Sequence, residues 1–239
     1  MNYPEAYLKE MGLWPVWTSK TAIVNEPSTE TTAPVPARPK AEIRSPVAEM
    51  DWPALKETVR DCAACGLRAG CTQTVFGVGD EKADWLFVGE GPGAEEDQRG
   101  EPFVGQAGRL LDNMLAAIDL KRGENVYIAN IVKCRPPGNR NPEPVEASAC
   151  APYLARQIEL LQPKIIIALG KIAAANLLAS DAPIGAMRGK QHNYRGIPLI
   201  ATYHPAYLLR SLPEKAKAWE DLCFARKVYS QSKASPEAA

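Results

Sequence analysis

The cysteines of the chain have a spacing that predicts a metal site. The sequence contains six of them, and five fall before the last quarter of the chain: Cys62, Cys65, Cys71, Cys134 and Cys150. A CxxC pair with two further cysteines offers four thiolates, which zinc and iron–sulfur clusters both accept. The spacing therefore predicts a tetrathiolate site without selecting its metal. Cys223 falls in a helical pattern near the C-terminus and is predicted to be a core residue.

A glycine-rich segment with several carboxylates, GEGPGAEEDQRGEPFVGQAG at residues 89–108, is the second candidate for chemistry. Its glycines permit tight turns and a close approach of the backbone to a ligand. Glu90, Glu95, Glu96 and Asp97 would repel a pyrophosphate, so we reject a nucleotide cofactor. A solvated helix N-terminus explains Glu95 and Asp97 but not the whole acidic run.

A histidine in the segment TYHPAYLLR is the third candidate. His204 is one of only two histidines in the chain. At the carboxyl end of a strand, a histidine is well placed for acid or electrophile chemistry. A single histidine is more often a packed or surface residue, so the functional interpretation depends on its pairing with the 89–108 segment.

The elements that must position these residues alternate along the chain. Apolar runs of strand length occur at 84–90, 125–133, 164–170 and 197–203, and helical patterns at 108–120, 144–161, 171–178 and 213–230. This alternation predicts a three-layer α/β/α fold with a central four-stranded parallel sheet. In such sheets ligands bind beyond the carboxyl ends of the strands, where three of the four ends carry the unusual residues.

Composition and charge bound the remaining organisation. We predict a short apolar segment at 1–20, a proline-rich flexible linker at 21–50, the folded domain at 51–233 and a disordered tail at 234–239. The apolar segment either docks on a protein partner or packs on its own domain. The chain has no long apolar run or signal-like start, which predicts a cytoplasmic protein without membrane association. Its net charge of zero means that nucleic-acid binding must rest on a local basic patch.

Three long segments together resemble one known family. GEGPGAEEDQRGEPFVGQAG, NIVKCRPPGNRNP and TYHPAYLLR, combined with the cysteine spacing, are similar to the family 4 uracil-DNA glycosylases over about residues 55–230. The resemblance implies a monofunctional hydrolase that flips uracil out of single- or double-stranded DNA and leaves an abasic site. It also implies a [4Fe-4S] cluster on four thiolates, with Cys71 as a bystander near the site. The implied ligands are Cys62, Cys65, Cys134 and Cys150.

The resemblance further implies roles for the base pocket. Phe103 would stack on the uracil ring, Asn130 would pair with the uracil edge, and His204 would donate to uracil O2 as negative charge develops there. Gly91 belongs to the substrate-binding loop and occupies a position where the wider superfamily often has Asp. The residue that positions the attacking water therefore stays open between Glu90 and Glu96.

The resemblance also implies residues that exclude thymine and residues that contact DNA. Glu96 could instead guard the pocket against the C5 methyl of thymine. Leu208, Leu209 and Arg210 resemble a loop that enters the minor groove, or else form plain helix-initiating surface. A phosphate-contacting patch is expected from basic loop residues: Lys133, Arg135, Arg140, Arg188, Lys190 and Arg195.

Two other functions compete with turnover of uracil in DNA. The first is a non-catalytic nucleic-acid-binding or polymerase-associated module with a structural metal site, against which Phe103, Asn130 and His204 argue. The second is a relative that traps DNA covalently, but this chain has PPGNRNPEP where that relative carries a Lys-Arg-Arg-Ile-His stretch. We expect an active, monomeric enzyme.

Overall fold

The computed structural model describes residues 46–234 of the 239-residue chain. The apolar segment 1–20, the linker up to residue 45 and the tail beyond Ala234 lie outside the described residues. Residues 46–50, predicted as the end of the linker, begin with a 3-10 helix, Pro46–Glu49. Val47 and Met50 pack against the core, and the Met50 carbonyl accepts a hydrogen bond from Arg156 Nε at 2.7 Å.

Six strands and eight α-helices make up the described part of the chain. The strands are β1 (Val78–Gly79), β2 (Trp85–Gly89), β3 (Val126–Asn130), β4 (Ile165–Leu169), β5 (Gln191–Tyr194) and β6 (Ile197–Thr202). The helices are α1 (Trp52–Arg60), α2 (Ala94–Arg99), α3 (Gln106–Ala116), α4 (Pro144–Leu161), α5 (Lys171–Leu178), α6 (Ile184–Met187), α7 (Pro205–Arg210) and α8 (Glu214–Ala234).

All six strands belong to one sheet in the order β1-β3-β2-β4-β6-β5. The four inner strands are parallel, and every residue of β2, β3 and β4 is buried, as expected when helices cover both faces. The predicted α/β class and its four parallel strands are confirmed. Two short antiparallel strands, β1 and β5, extend the sheet at its edges.

The core lies on both faces of this sheet. Leu86 and Val88 pack on one face with residues of α1, α4 and α5, whereas Trp85 and Phe87 pack on the other with α3 and α8. This alternation follows from the two-residue period of a strand. Within residues 46–234, none of the helices is both long enough and apolar enough to cross a membrane.

The helix starts fix the loops that follow the strands. Asp51 caps α1 by accepting a hydrogen bond from the Ala54 backbone N–H at 3.0 Å. The α4 start has Pro144 in its first turn, and the Glu146 carboxylate accepts from the Glu143 N–H at 2.7 Å. The register pairs Gly89 with Asn130 and Leu169 with Thr202, so the loops after these residues leave the sheet at one edge.

Candidate active site

A cavity of about 850 Å³ opens at the carboxyl ends of the parallel strands. We call it the base pocket. Its wall includes Arg210. It also includes the six residues that the resemblance assigned to base binding and water activation: Glu90, Gly91, Glu96, Phe103, Asn130 and His204. The fold therefore brings together three segments that are spread over more than a hundred residues of the chain.

Asn130 and Phe103 meet in this pocket because Gly89 has no side chain. A Cβ on Gly89 would lie 2.4 Å from Asn130 Oδ1 and 2.6 Å from Phe103 Cζ. Asn130 is 2% exposed, and its Oδ1 atom is buried without a hydrogen-bond partner among the described residues. A buried acceptor without a donor is costly, so such an atom in a cavity wall indicates that a ligand supplies the donor.

His204 faces the same cavity from the start of α7. Its Nδ1 accepts a hydrogen bond from the Ala206 N–H at 3.1 Å, so the neutral ring carries its proton on Nε2. Burial, helped by the positive charge of Arg210 and opposed by Glu96, lowers the pKa of His204 to about 4. The ring is therefore neutral at pH 7. It stacks on Phe103 with 5.4 Å between ring centroids.

The two candidate carboxylates differ in what they contact. Glu96 Oε1 accepts hydrogen bonds from the Val104 and Gly105 N–H groups at 3.0 and 3.1 Å, and Oε2 accepts from the Gly93 N–H at 3.1 Å. Burial alone raises the pKa of Glu90, with no contribution from a hydrogen bond or a neighbouring charge. Glu96 therefore cross-links the backbone of the 93–105 segment, whereas the Glu90 carboxylate lies at the cavity wall.

Gly91 packs directly against the second motif. A Cβ at this position would lie 2.8 Å from Val132 Cγ2, closer than real Cβ contacts come. An Asp here would force Val132 to move.

The three residues predicted to enter the minor groove have different environments on α7. Leu208 is 1% exposed, and it borders an apolar groove with residues of α3 and α8. Leu209 is 39% exposed, and Arg210 lines the base pocket. The helical period of α7 turns Leu208 toward the core, whereas it leaves Leu209 exposed.

Most of the basic residues predicted to contact phosphate are committed elsewhere. Lys133 is 2% exposed, and its Nζ donates to the Asn130 carbonyl at 2.9 Å and to Gln157 Oε1 at 2.6 Å. Arg140 binds Glu146 through two hydrogen bonds of 2.8 and 2.7 Å. Arg188 pairs with buried Asp221 at 3.0 Å. The prediction of one patch built from these side chains is wrong for Lys133, because this side chain is buried.

A second, smaller pocket lies beside α4. We call it the thiol pocket; its lining includes all four predicted ligands: Cys62, Cys65, Cys134 and Cys150. The Tyr153 hydroxyl donates to Cys62 Sγ at 3.3 Å, and the Lys133 backbone N–H donates to Cys150 Sγ at 3.3 Å. Burial raises the pKa of Cys134 and of Cys150.

Neither Cys71 nor Cys223 is among the residues that line the thiol pocket. Cys71 contacts the backbone and guanidinium of Arg68 at 3.7 Å, and a hydrogen bond with Cys71 helps to raise the pKa of Cys134. Cys223 is exposed on α8, so its prediction as a core residue is wrong. Between residues 46 and 234, no three His, Cys, Asp or Glu side chains are grouped so that they could hold a metal ion.

Two residues that the sequence alone did not single out as supports of the site contact it directly, and a third supports one of them. Lys133 Nζ donates to the Asn130 carbonyl and to Gln157 Oε1, and Arg122 Nη2 donates to the Phe103 carbonyl at 2.8 Å. Lys133 stands next to a motif cysteine, but Arg122 lies in KRGEN, which has the composition of an ordinary surface turn.

The sequence of this chain is similar to those of known uracil-DNA glycosylases. Residues 76–223 match the model of the uracil DNA glycosylase superfamily. The type-4 uracil-DNA glycosylase of Archaeoglobus fulgidus is 46% identical over 167 residues, which cover 65% of this chain and 83% of that protein. The enzyme of the same name from Thermotoga maritima is 45% identical, covering 66% and 82%, and that from Pyrobaculum aerophilum is 41% identical, covering 72% and 92%. The chain belongs to the uracil-DNA glycosylase superfamily and, within it, to the type-4 family.

Proposed function

We propose that this protein hydrolyses the N-glycosidic bond of uracil in DNA, releases free uracil and leaves an abasic site. The observation that carries the proposal is the unpaired, buried Oδ1 of Asn130 in the wall of the base pocket. Uracil offers an N3–H donor beside its O4 acceptor, and a side-chain amide matches this pair with one acceptor and one donor. Cytosine presents the opposite pattern and would leave buried groups unpaired.

The flipped base is held between the amide and an aromatic face. Phe103 is 6% exposed and lies against Gly89, so its ring forms a fixed wall of the base pocket. Stacking on this ring compensates part of the stacking that the base loses when it leaves the helix. The pocket thus binds a planar ring whose edge points to Asn130.

His204 stabilises the departing base. Its Nε2–H is free of the Ala206 hydrogen bond, which occupies Nδ1, and it donates to uracil O2 as negative charge develops there. A neutral imidazole with a low pKa donates this bond without transferring its proton in the ground state. Cleavage of the glycosidic bond leaves the base as an anion and the sugar as an oxocarbenium-like centre.

Glu90 is our candidate for positioning the water that attacks the sugar. Its carboxylate lines the cavity, and only burial shifts its pKa. Both oxygens of Glu96, in contrast, accept hydrogen bonds from backbone N–H groups. Glu96 instead shapes the loop that carries Phe103.

DNA approaches the pocket over α7. Arg210 reaches the cavity wall and contributes positive charge beside His204, and Leu209 is the exposed apolar residue next to it. We assign to Leu209 and Arg210 the filling of the gap that the flipped nucleotide leaves. Leu208 supports them from the core.

We propose that the four cysteines of the thiol pocket hold a [4Fe-4S] cluster. Four thiols line one pocket, and a [4Fe-4S] cluster takes one thiolate at each of its four iron corners. When bound, the cluster supplies a rigid charged anchor that braces the loop of Cys62 and Cys65 against β3 and α4.

Two measurements test these assignments. Purified protein is incubated with an oligonucleotide that contains one uracil, and alkali then cleaves any abasic site. His204→Ala is expected to lower the rate about 100- to 1,000-fold, and Asn130→Ala is expected to abolish preference for uracil, while His192→Ala and Asn113→Ala serve as controls outside the cavity. Binding without release by the wild type would support the non-catalytic alternative. Iron and zinc analysis with visible absorption distinguishes the two metals.

A further inference from the structure

The backbone of Phe103 has a conformation that the residue does not prefer. Its φ angle is +56°, in the left-handed region that a bulky side chain rarely adopts. The segment that follows leaves no room for relaxation, since a Cβ on Gly108 would lie 1.7 Å from the Phe103 carbonyl oxygen. Something must hold this peptide in place.

Arg122 holds it from the carbonyl side. Its Nη1 donates to the Pro102 carbonyl at 2.9 Å and its Nη2 to the Phe103 carbonyl at 2.8 Å. Its Nε donates to Asp112 Oδ1 on α3 at 2.9 Å. The Arg122 side chain is 23% exposed and is therefore largely shielded from solvent. A planar fork with donors on three nitrogens matches this arrangement, which the single ammonium of lysine cannot.

Glu96 holds the same loop from the N–H side. Its Oε1 accepts from Val104 and Gly105, the two residues after Phe103. A cation on two carbonyls and a carboxylate on two N–H groups thus grip one short stretch of backbone from opposite directions. The ring of Phe103 is then set between Gly89 and His204.

We propose that Arg122 is a positioning residue for base recognition. It keeps the Phe103 backbone in the left-handed region and thereby holds the ring where stacking on uracil needs it. The proposal rests on the proposed function for its consequence in catalysis. It does not rest on it for the contact itself. Loss of the guanidinium leaves two carbonyls without donors and frees the backbone of Phe103 to leave the left-handed region.

A double-mutant cycle tests whether Arg122 acts through Phe103. Single-turnover uracil release is measured for wild type, Arg122→Met, Phe103→Ala and the double variant. Arg122→Met is expected to lower the rate about tenfold or more in the wild-type background and less than about twofold in the Phe103→Ala background. Equal losses in the two backgrounds, or no loss in the first, would overturn the proposal.

A spectroscopic measurement separates this inference from the activity. The chain has four phenylalanines, so fluorophenylalanine labelling gives a fluorine spectrum in which Phe103→Leu identifies one resonance. Arg122→Met is expected to shift or broaden that resonance, and Arg122→Lys to restore it in part. Arg226→Met is the control, since Arg226 pairs with Asp119 at 3.0 Å on the surface. An unmoved Phe103 resonance overturns the proposal even in an active enzyme, and a moved one supports it even if the wild type releases no uracil.

Discussion

Asn130 and Cys134 are close in the chain at the carboxyl end of β3, yet they face two different pockets. The base pocket presents one buried amide oxygen without a partner among the described residues, a neutral histidine and a phenylalanine held at a positive φ angle. The thiol pocket presents four sulfur atoms, two of which receive hydrogen bonds from Tyr153 and from the Lys133 backbone. One pocket is suited to a neutral, directional ligand, and the other to a permanent charged group.

Lys133 lies between the two pockets and contacts both. Its Nζ donates to the Asn130 carbonyl, and its backbone N–H donates to Cys150 Sγ. Burial lowers the pKa of Lys133 to about 8. A buried lysine needs partners that compensate its desolvation, and Lys133 has them in the Asn130 carbonyl and Gln157 Oε1.

The largest effect is expected on the scaffold side. Cys134→Ser removes one corner of the thiol pocket, and because structural metal binding contributes on the order of 10 kcal/mol to folding, the variant should lose iron and unfold at a much lower temperature. Iron content and the thermal melting temperature check this. Cys223→Ser, on exposed α8, is the matched control. A Cys134→Ser protein with full iron content would contradict the ligand assignment.

On the base-pocket side, the low pKa of His204 predicts a pH dependence of stability. The pKa is about 4 in the folded chain and 6.5 ordinarily, so the unfolded chain binds more protons between these values. Stability therefore rises with pH over this window and falls by up to a few kcal/mol as the pH drops through it. Urea unfolding between pH 4 and 7 measures the slope. His204→Gln should flatten it, and an unchanged slope would mean that the ring is not buried as described.

Lys133→Met tests the connection between the two pockets. The change leaves the Asn130 carbonyl and Gln157 Oε1 without their buried donor, which costs about 1–3 kcal/mol. Uracil release and the melting temperature should both fall. Lys190→Met, on an exposed loop lysine, should change neither. Normal activity together with normal stability for Lys133→Met would show that the two pockets are independent.

The smallest effect is expected from Tyr153→Phe. This change removes only the hydroxyl that donates to Cys62 Sγ, worth about 0.5–1.5 kcal/mol. The melting temperature should fall slightly while the rate of uracil release stays at the wild-type value. A large fall in that rate would show that the thiol pocket tunes catalysis and is not only a scaffold.

The sequence predicts the inner parallel strands and the motif residues at their ends better than it predicts the edge strands. The run Ile165–Leu169 is continuously apolar and could only be a buried strand, and the motif residues Asn130 and His204 stand where parallel strands end. The sequence does not predict the edge strands β1 and β5, because one has two residues and the other is QHNY, without an apolar pattern. The local pattern fails where tertiary contacts decide.

The sequence also fails to predict the environment of several charged and apolar side chains. Lys133 carries no sign of burial in NIVKCRPP, because its partners come from Asn130 and from Gln157 on α4. Arg122 has its partners in the 89–108 segment and on α3. Leu208 belongs to a motif that looks like surface but packs toward α3 and α8. Such partners are distant in sequence, so composition and periodicity cannot reveal them.

The central claim is that the unpaired Oδ1 of Asn130 receives the N3–H of uracil. It is tested most directly by comparing two oligonucleotides that differ at one atom, one with uracil and one with 3-methyluracil, in single-turnover release by the wild-type protein. Because a site built to bond a donor rejects an analogue that lacks it, the methylated base should be released at least about a hundredfold more slowly. Equal release of the two bases, or no release of uracil, would contradict the account.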